Sequence, residues 1–485
     1  MKRLFFALLL LTCFLSQTGA QERPKLVVGI VADQMRWEYL YRYYDRYGND
    51  GLKRMLNEGY SCDNMHFNYV PTVTAVGHCS VYAGTTPAFT GIVGNNFYVN
   101  GRKIYCCEDT TVQTVGSDSK AGQMSPRNSM VTSMCDQLRL ATDFSSKTIG
   151  IALKDRAAIL PAGHSANGAY WFDKSAGGFI TSTFYMNELP KWVRDFNKSH
   201  RIDPKTEVHA APLGVTLTTD MALAALDGEN LGRNASTDFL AVSYSSTDYV
   251  GHAYGTRGGE IDEIYLTLDA ELARLFSALD AKIGRDNYLV FLTADHAADH
   301  NAKFMNDHRL PGGHISSSEL RKMVNQALTE KYGRDKLVLD IIENRLYLDH
   351  DALQRDGLNA EEVMRTACDE LLKSDLVQYA VPFSQVATAP IPPAIRDRIV
   401  MGYCPKRSGD IQIIPRTAYT GAAYEQGTTH GAWTPDNTHV PFVLMGWSVA
   451  HGSTNKPVVI PDIAATICAL LKIQMPSGCI GNPVF

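Results

Sequence analysis

Six side chains of metal-ligating types lie in short, separate motifs of this sequence. They are Asp33, then Asp248 and His252 in Asp-Tyr-Val-Gly-His, then the adjacent pair Asp295 and His296, then His430. Zinc binds imidazole nitrogen and carboxylate oxygen, and two zinc ions can clamp the attacking and leaving oxygens of a phosphoryl transfer. Alone, each aspartate is more often a helix cap and each histidine a hydrogen-bonded structural residue. Metal chemistry therefore requires that the fold bring them together.

Four apolar runs end at or just before residues of reactive types. They are residues 25–32 before Asp33, 148–153 before Lys154, 238–245 before Asp248 and 288–294 before Asp295. Runs rich in Val and Ile without alternation predict strands that are buried on both faces. In open α/β sheets, ligands bind outside the carboxyl ends of the strands. We therefore expect these side chains to meet at one edge of a sheet.

Helical patterns separate these runs, at residues 39–57, 260–282 and 461–472, and a further apolar run lies at 439–445. Strands alternating with helices predict an α/β fold with an open, mostly parallel sheet flanked by helices. Residues 316–400, approximately, are more charged and are expected to form a small α+β insertion. Within it we predict amphipathic helices around 336–340 and 345–348. The catalytic domain would span residues 21–485.

The order of these motifs resembles the metal layout of the alkaline phosphatase superfamily. That layout is an Asp, a Thr, Asp-x-x-x-His, Asp-His and a distant His. The segment Val70–His78 resembles the nucleophile loop of the type I phosphodiesterase/nucleotide pyrophosphatase branch, in which a Thr precedes a His by four residues. This register selects Thr74 as the nucleophile. The similarity runs through nearly the whole chain after the N-terminal segment, from residue 25 to about residue 446.

Two further matches resemble one subfamily, the phosphate-irrepressible (PafA-type) alkaline phosphatases. Asn95 in Gly-Asn-Asn and the pair Lys154 and Arg156 look like its phosphate-binding groups. A monoester dianion exposes three nonbridging oxygens, to which an asparagine, a lysine and an arginine can donate. In a diester, one of these oxygens carries a second organic group. These residues therefore favour a phosphomonoesterase over a phosphodiesterase.

The resemblance also implies a cofactor and a mechanism. One zinc ion would be held by Asp248, His252 and His430, and a second by Asp33, Asp295 and His296, with the Thr74 oxygen bound to it. Small-molecule phosphate monoesters would be hydrolysed in two steps through a phosphothreonine, with Asn95, Lys154 and Arg156 stabilising the transferred group. Phosphate scavenging would be the role of such an enzyme.

Several alternative assignments remain open from the sequence. Thr72 or Ser80 could be the nucleophile, and Lys154 with Arg156 could be a solvated charge cluster around Asp155. The dipeptide Asp299-His300 could replace Asp295-His296 as ligands. Mixed His/Asp sites also accept manganese or iron. Three histidines near the motifs are interpreted as structural or as supports of the ligands, namely His78, His164 and His314.

Three other functions also remain open. A phosphodiesterase or nucleotide pyrophosphatase would use the same metals. A sulfatase would need a Cys/Ser-x-Pro-x-Arg segment, which is absent around Thr74. A non-catalytic zinc-binding envelope protein could have kept the fold without the activity.

Composition and the N-terminus bound the remaining questions. The chain has 485 residues, 20% of them charged, and a net charge of -5. It has no basic stripe, so nucleic acid is not an expected partner.

Residues 1–20 combine a positive start, an apolar stretch and small residues, which predicts a signal peptide and a periplasmic or secreted enzyme. A lipid anchor at Cys13 is the alternative, and no later segment predicts a transmembrane helix. Removing Cys13 from ten cysteines leaves an odd number. The sequence indicates no oligomeric state.

Overall fold

The computed structural model describes residues 23–422 and 426–485. The predicted signal peptide, residues 1–20, and Cys13 lie outside the described residues. Along the described chain the strands are β1 (Leu26–Ala32), β2 (Tyr60–Cys62), β3 (Met65–His66), β4 (Asn96–Val99), β5 (Arg102–Tyr105), β6 (Thr114–Val115), β7 (Thr148–Ala152), β8 (Gly168–Asp173), β9 (Gly178–Ser182), β10 (Asp238–Tyr244), β11 (Tyr288–Thr293), β12 (Gly313–His314), β13 (Val338–Ile342), β14 (Arg345–Leu348), β15 (Val377–Pro382), β16 (Ile411–Pro415), β17 (Tyr419–Thr420), β18 (Phe442–Gly446), β19 (Gly452–Thr454) and β20 (Val458–Val459).

Helices connect and cover these strands. They are α1 (Tyr39–Arg42), α2 (Leu52–Glu58), α3 (Thr74–Ala83), α4 (Pro87–Thr90), α5 (Met134–Ala141), α6 (Asp155–Ala162), α7 (Lys191–Ser199), α8 (Pro212–Gly228), α9 (Ser246–Tyr254), α10 (Gly259–Lys282), α11 (Ala302–Asp307), α12 (Ser317–Tyr332), α13 (His350–Arg355), α14 (Ala360–Leu371), α15 (Pro393–Gly402), α16 (Pro435–Thr438) and α17 (Asp462–Leu471). Short 3₁₀ helices occur at Tyr44–Arg46, Pro126–Asn128 and Phe383–Thr388.

A ten-stranded central sheet organises the molecule, in the order β19-β2-β18-β11-β1-β10-β7-β8-β9-β6. Its middle strands, β11, β1, β10, β7 and β8, are parallel neighbours. The flanking pairs β11–β18, β18–β2, β8–β9 and β9–β6 are antiparallel. Every residue of β1, β7, β10 and β11 is buried, because helices cover both faces. The predicted α/β fold class is confirmed, and the run at 439–445 contributes the antiparallel strand β18.

The register of the middle strands brings their carboxyl ends to one edge. Ala32 of β1 pairs with Tyr244 of β10, and Val31 pairs with Thr293 of β11. Ser243 of β10 pairs with Ala152 of β7. The residues that follow these four strands therefore leave the sheet at nearly the same level, above its most buried part.

The prediction of one continuous helix at 39–57 is wrong, because two separate helices lie in this range. Helix α1 ends at Arg42, and α2 begins only at Leu52. The carboxylate of Asp269, on α10, accepts hydrogen bonds from the backbone N–H groups of Gly48 and Leu52, both at 2.7 Å. These bonds draw the connecting backbone onto α10, and a Cβ at Gly51 would lie 2.3 Å from the Asp269 carbonyl oxygen. The helices predicted at 260–282 and 461–472 are present as α10 and α17.

The predicted helices around 336–340 and 345–348 are also wrong, because both segments are strands. They form the hairpin β13–β14, whose turn residues Glu343 and Asn344 have φ values of 50° and 62°. Two left-handed residues between antiparallel strands match the twist of a tight hairpin. Each apolar run is also too short for a helix.

This hairpin belongs to a second sheet, with the order β13-β14-β16-β15. Helices α12 and α14 pack against it around an apolar core that includes Val324, Leu346 and Ile413. We call residues 317–415 the four-stranded unit. It lies in the chain between β11 and β18, two neighbouring strands of the central sheet. Glu343 of this turn contacts residue 95, and Arg345 next to the turn contacts residues 70 and 93, which lie in the loops on either side of α3 and α4.

None of the cysteines in the described part of the chain forms a disulfide bond, and all except the partly exposed Cys479 are buried. Burial raises the pKa of the Cys62 thiol to about 12. Buried protonated thiols of this kind are unreactive. Across residues 23–422 and 426–485, no helix has both the length and the apolar character needed to cross a membrane.

Candidate active site

Two groups of acidic and histidine side chains converge beyond the carboxyl ends of the middle strands. Within each group the ligand atoms lie within 4.8 Å of one another. The groups are Asp33, Asp295 and His296, and Asp248, His296 and His430. His296 belongs to both, so the groups adjoin.

The first group is completely buried. The Nε2 atom of His296 lies 3.5 Å from Asp33 Oδ1 and 3.5 Å from Asp295 Oδ2. Asp33 Oδ1 accepts no hydrogen bond from any described residue, and Asp295 Oδ2 has only the His78 imidazole nearby, with Nδ1 at 3.1 Å. An unpaired buried carboxylate oxygen is costly unless a cation compensates it. Two buried carboxylate oxygens beside an imidazole nitrogen fit a divalent metal ion of the zinc type.

The second group is centred on Asp248, in the first turn of α9. Its Oδ1 atom lies 3.2 Å from His252 Nε2 and 3.8 Å from His430 Nε2. The Nδ1 atoms of the two histidines contact backbone carbonyls, that of Thr428 at 2.8 Å from His252 and that of Thr72 at 2.8 Å from His430. Such contacts orient each ring and leave Nε2 as the ligand atom. The sequence predicts His252 where this group has His296, and the structure places the more exposed His252, as well as His430, beside Asp248.

Lys154 connects the two groups. It precedes α6, and its Nζ atom lies 2.7 Å from Asp33 Oδ2 and 2.5 Å from Asp248 Oδ2. Burial alone would lower the pKa of Lys154, but Asp248 and Asp33 raise it above its ordinary value, so the side chain is a cation. Burial and the nearby Asp295 raise the pKa of Asp33. The raised pKa favours the neutral form of Asp33, so all three buried aspartates around this lysine are ionised together only when further cations compensate their charge, as at a metal site.

Thr74 is the first residue of α3 and is almost completely buried. Its Oγ1 atom lies 3.5 Å from His296 Nε2, the imidazole nitrogen shared by both groups. The next residue, Ala75, donates its backbone N–H to Asn95 Oδ1 at 3.0 Å. The carboxamide of Asn95 is therefore fixed beside Thr74, and its NH2 group is the donor that remains.

Arg156 is anchored from one side by an aromatic hydroxyl. Its Nη1 atom donates to the hydroxyl oxygen of Tyr105 at 3.0 Å, and that hydroxyl donates to Asp155 Oδ1. The Nε atom of Arg156 is buried and has no hydrogen-bond partner among the described residues. Burial would lower the pKa of Arg156, but Tyr105 and Asp155 raise it further, so the guanidinium is charged. Within this charge cluster Lys154 is buried, whereas the side chains of Arg156 and Asp155 are partly exposed, at 19% and 17%.

The alternative residues have other roles in the structure. Thr72 donates its hydroxyl to the Ala432 carbonyl at 3.0 Å and accepts from the Gly431 N–H at 3.2 Å, which holds the backbone next to His430. Asp299 contacts the Thr434 hydroxyl, and His300 contacts the Thr256 hydroxyl, so neither joins a ligand group.

The three remaining histidines and Ser80 also contact other parts of the fold. His78 lies 2.9 Å from the Thr74 carbonyl and 3.1 Å from Asp295 Oδ2, where it supports both residues. His164 and His314 contact backbone carbonyls. Ser80 is completely buried two turns along α3.

Three residues at the site were missed by sequence reasoning. Gln34 donates from Nε2 to Asp248 Oδ1 at 2.6 Å and from its backbone N–H to Asp295 Oδ1 at 3.1 Å. Its φ of 67° is rare for a side-chain-bearing residue and is typical of functional sites. The signal in the sequence that could have identified Gln34 is its position directly after the candidate ligand Asp33. Tyr105 and Glu343 carry no local signal, since their contacts depend on the tertiary structure.

The sequence of this chain is similar to those of a known family and of several known proteins. Residues 27–439 match the type I phosphodiesterase/nucleotide pyrophosphatase family. The chain is 44% identical to alkaline phosphatase PafA of Elizabethkingia meningoseptica, over 96% of this chain and 95% of the relative. It is 42% identical to a protein of Myroides odoratus named calcium-transporting ATPase, over 96% of this chain and 94% of that relative.

The structure agrees with these sequence matches. A crystal structure of wild-type alkaline phosphatase PafA superimposes with a TM-score of 0.93 at 43% identity. The alignment covers 96% of this chain and 99% of that chain. The two folds therefore coincide over nearly their full lengths, and the strand ends that carry the two ligand groups are part of the shared structure.

Proposed function

The chain belongs to the type I phosphodiesterase/nucleotide pyrophosphatase family and is an alkaline phosphatase, and we propose that it hydrolyses small-molecule phosphate monoesters with Thr74 as its nucleophile. The observation that carries the nucleophile assignment is the convergence of both ligand groups beside Thr74, whose Oγ1 atom lies 3.5 Å from His296 Nε2. No other hydroxyl among the alternatives considered is placed in this way.

We further propose that the site takes two zinc ions. One would be held by Asp248, His252 and His430, and the other by Asp33, Asp295, His296 and the oxygen of Thr74. When bound, two such ions supply positive charge at the attacking and the leaving oxygen. The buried Asp33 Oδ1, which has no hydrogen-bond partner among the described residues, and the adjacent buried carboxylate of Asp295 support this assignment.

In the proposed reaction, Thr74 Oγ1 forms a bond to phosphorus while the bond from phosphorus to the leaving oxygen breaks. The threonine gives up its hydroxyl proton, the departing alkoxide gains one to become the alcohol, and the product on the protein is a phosphothreonine. Water then attacks phosphorus and gives up a proton, the bond from phosphorus to Thr74 Oγ1 breaks, Thr74 Oγ1 regains a proton, and inorganic phosphate leaves. The position of Thr74 at the N-terminus of α3 favours the developing negative charge in both steps.

Asn95, Lys154 and Arg156 recognise the dianion in this proposal. The carboxamide of Asn95 lies beside Thr74, the guanidinium of Arg156 is held by Tyr105, and the ammonium of Lys154 lies between the two ligand groups. Charge-assisted donors of this kind stabilise a transferring phosphoryl group most when its oxygens are uncompensated. A monoester presents such oxygens and a diester presents one fewer.

The remaining part of the proposal concerns location and role. We infer that residues 1–20 are a signal peptide and that the enzyme acts in the periplasm or outside the cell, where it scavenges phosphate. Expression with and without residues 1–20, followed by fractionation, tests this. Retention of the full-length chain in the cytoplasm would contradict it.

Thr74→Ala tests the nucleophile, with Thr85→Val as its matched control. Thr85 is also a buried threonine near α3, but its hydroxyl has no partner among the described residues. We expect T74A to lose at least about 1000-fold in kcat for an aryl phosphate monoester while T85V stays within about threefold. Trapping with a labelled monoester should give phosphoprotein in wild type and in T85V only. Wild-type-like turnover by T74A would reassign the nucleophile.

Chelation tests the metal and the main alternative activities. Treatment with a chelator should abolish monoester turnover, and added zinc should restore it. A protein indifferent to chelation would contradict the two-metal proposal. Faster turnover of a bis-aryl diester than of an aryl monoester would instead identify the enzyme as a phosphodiesterase.

A further inference from the structure

The turn of the hairpin β13–β14 contacts the segment that carries Asn95. Glu343, the first residue of this turn, accepts a hydrogen bond at Oε1 from the backbone N–H of Asn95 at 3.0 Å. Its other carboxylate oxygen packs against Gly94 so closely that a Cβ there would lie 2.3 Å away. Glycine at this position therefore permits the close approach of the carboxylate.

Arg345, two residues after Glu343, ties the same hairpin to both sides of the site. Its guanidinium donates to the carbonyl of Val93 at 2.8 Å, just before the Asn95 segment. It also donates to the carbonyl of Val70 at 2.9 Å, in the segment that leads to Thr74. The four-stranded unit thus holds the nucleophile segment and the Asn95 segment together through one buried side chain.

These contacts place Glu343 and Ala75 on opposite sides of the same residue. Glu343 holds the backbone of Asn95, while the N–H of Ala75 holds its side-chain oxygen at 3.0 Å. With both points fixed, the remaining NH2 group of Asn95 has a defined direction beside Thr74. The backbone carbonyl of Asn95 also accepts a hydrogen bond from the Cys106 N–H at 3.0 Å. Removing the Glu343 contact would leave the N–H side of this backbone without its partner while the carbonyl side stays held.

We propose that Glu343 is a positioning residue for the reaction, acting through Asn95 by holding its backbone so that the carboxamide is aimed at the phosphoryl oxygens. This inference rests on the proposed function, since it assigns Glu343 to the recognition of the monoester dianion by Asn95. In this proposal the four-stranded unit takes part in substrate recognition through its hairpin turn, which contains Glu343. Glu343 itself does not touch the substrate.

A double-mutant cycle between Glu343 and Asn95 tests the inference. We expect Glu343→Ala to lower kcat/KM for an aryl phosphate monoester by about 10-fold, the size of one well-placed hydrogen bond. In the Asn95→Ala background the same change should cost less than about twofold, because its target is gone. The rate for a bis-aryl diester should change by less than about twofold. Glu343→Gln keeps an acceptor oxygen and should retain activity within about threefold of wild type.

Asp410→Ala provides the matched control in the same unit. Asp410 also accepts a backbone N–H, that of Leu348 at 2.7 Å, but it does not contact the Asn95 segment. We expect D410A to leave the ratio of monoester to diester rates unchanged. A loss in D410A equal to that in E343A would show that the effect is general destabilisation and would overturn the inference. So would a full 10-fold effect of E343A in the Asn95→Ala background.

The inference and the proposed function fail in different ways. If Asn95→Ala leaves monoester turnover unchanged, the proposed recognition by Asn95 is wrong and Glu343 has no target. If Asn95→Ala is strongly impaired while Glu343→Ala is not, only the positioning role is overturned. Should Glu343→Ala fail to fold, Glu343→Asp serves instead, since its shorter side chain withdraws the acceptor from Asn95. We expect E343D to lower the monoester rate, and wild-type rates in E343D would overturn the inference.

Discussion

Replacing Arg345 with methionine removes the donors from three backbone carbonyls at once. Arg345 is completely buried, and its guanidinium donates to the carbonyls of Val93, Val70 and Gly402 at 2.8, 2.9 and 2.8 Å. Methionine fills much of the same space but donates no hydrogen bond. The carbonyls of Val93 and Val70 then stay buried without these donors, and that of Gly402 keeps a longer contact with the Ser408 hydroxyl at 3.4 Å.

The expected cost follows from these three groups. A buried polar group that loses its partner costs about 1–3 kcal/mol, so three of them would set a range of about 3–9 kcal/mol. The lower part of this range applies because the Gly402 carbonyl keeps its contact with the Ser408 hydroxyl. Methionine also removes a buried charge whose desolvation is itself unfavourable, as the lowered pKa of Arg345 indicates. We therefore expect a loss of about 3–5 kcal/mol in the free energy of unfolding. A typical domain has about 5–15 kcal/mol in total, so the variant should fold with a reduced reserve.

Urea unfolding followed by tryptophan fluorescence measures this loss, with zinc held at one saturating concentration because ligand binding shifts apparent stability. Arg321→Met is the control. Arg321 lies in the same unit, its side chain is 42% exposed, and it pairs with Asp340 at 3.1 Å. Exposed ion pairs contribute little, so R321M should change stability by less than about 1 kcal/mol. If R345M is no less stable than R321M, the three buried hydrogen bonds do not contribute as argued.

Three further predictions concern the residues around the phosphoryl group. Replacing Lys154 and Arg156 together with alanine should lower kcat/KM for an aryl monoester at least about 100-fold more than for a bis-aryl diester, because two charge-assisted donors are lost; equal losses on the two substrates would mean that the pair does not read the dianion. Tyr105→Phe removes the partner of Arg156 Nη1 and should lower the monoester rate about 10-fold. That effect should vanish in an Arg156→Ala background, and its persistence there would contradict the anchoring role. Glu343→Gln should alter the pH dependence of stability. Burial raises the pKa of Glu343 from 4.5 to about 7, although the Asn95 N–H, Arg345, Arg156 and Lys103 oppose the shift. The folded state therefore holds this proton more tightly than the unfolded state does, and the resulting stabilisation is complete below about pH 4.5 and lost as the pH rises through about 7. Glutamine does not titrate, so the Tm of E343Q should rise relative to wild type between about pH 5 and about pH 8, and parallel Tm curves would refute the assignment.

Much of the site could be predicted because its residues follow strands that are easy to recognise. The runs before Asp33, Lys154 and Asp295 are continuous, apolar and rich in β-branched residues, which only a strand covered on both faces accommodates well. Parallel strands in register then deliver the next residues to one edge of the sheet. For these side chains, sequence position and spatial position are linked by the regular geometry of the sheet.

The supports of the site could not be predicted in this way. Glu343 reaches Asn95 across almost 250 residues of sequence, and Arg156 depends on Tyr105 from a separate hairpin. The segments at 336–340 and 345–348 were predicted as helices because their apolar residues are compatible with both periods over so short a length. What distinguishes them is the pair of left-handed residues between them, Glu343 and Asn344. The dipeptide Glu-Asn is not a typical signal of that conformation, whereas Asn-Gly is.

The two candidate ligand groups draw their residues from almost the whole length of the chain, which affects when they can form during synthesis. Asp33 follows the first strand, whereas His430 is reached only after the four-stranded unit has been made. A growing chain can complete the group of Asp33, Asp295 and His296 well before the group that needs His430. Contacts between such distant residues form late and slowly in folding. The partly formed site would therefore contain uncompensated carboxylates for much of the folding process. The group that includes His430 would form only in a chain whose central sheet is nearly complete.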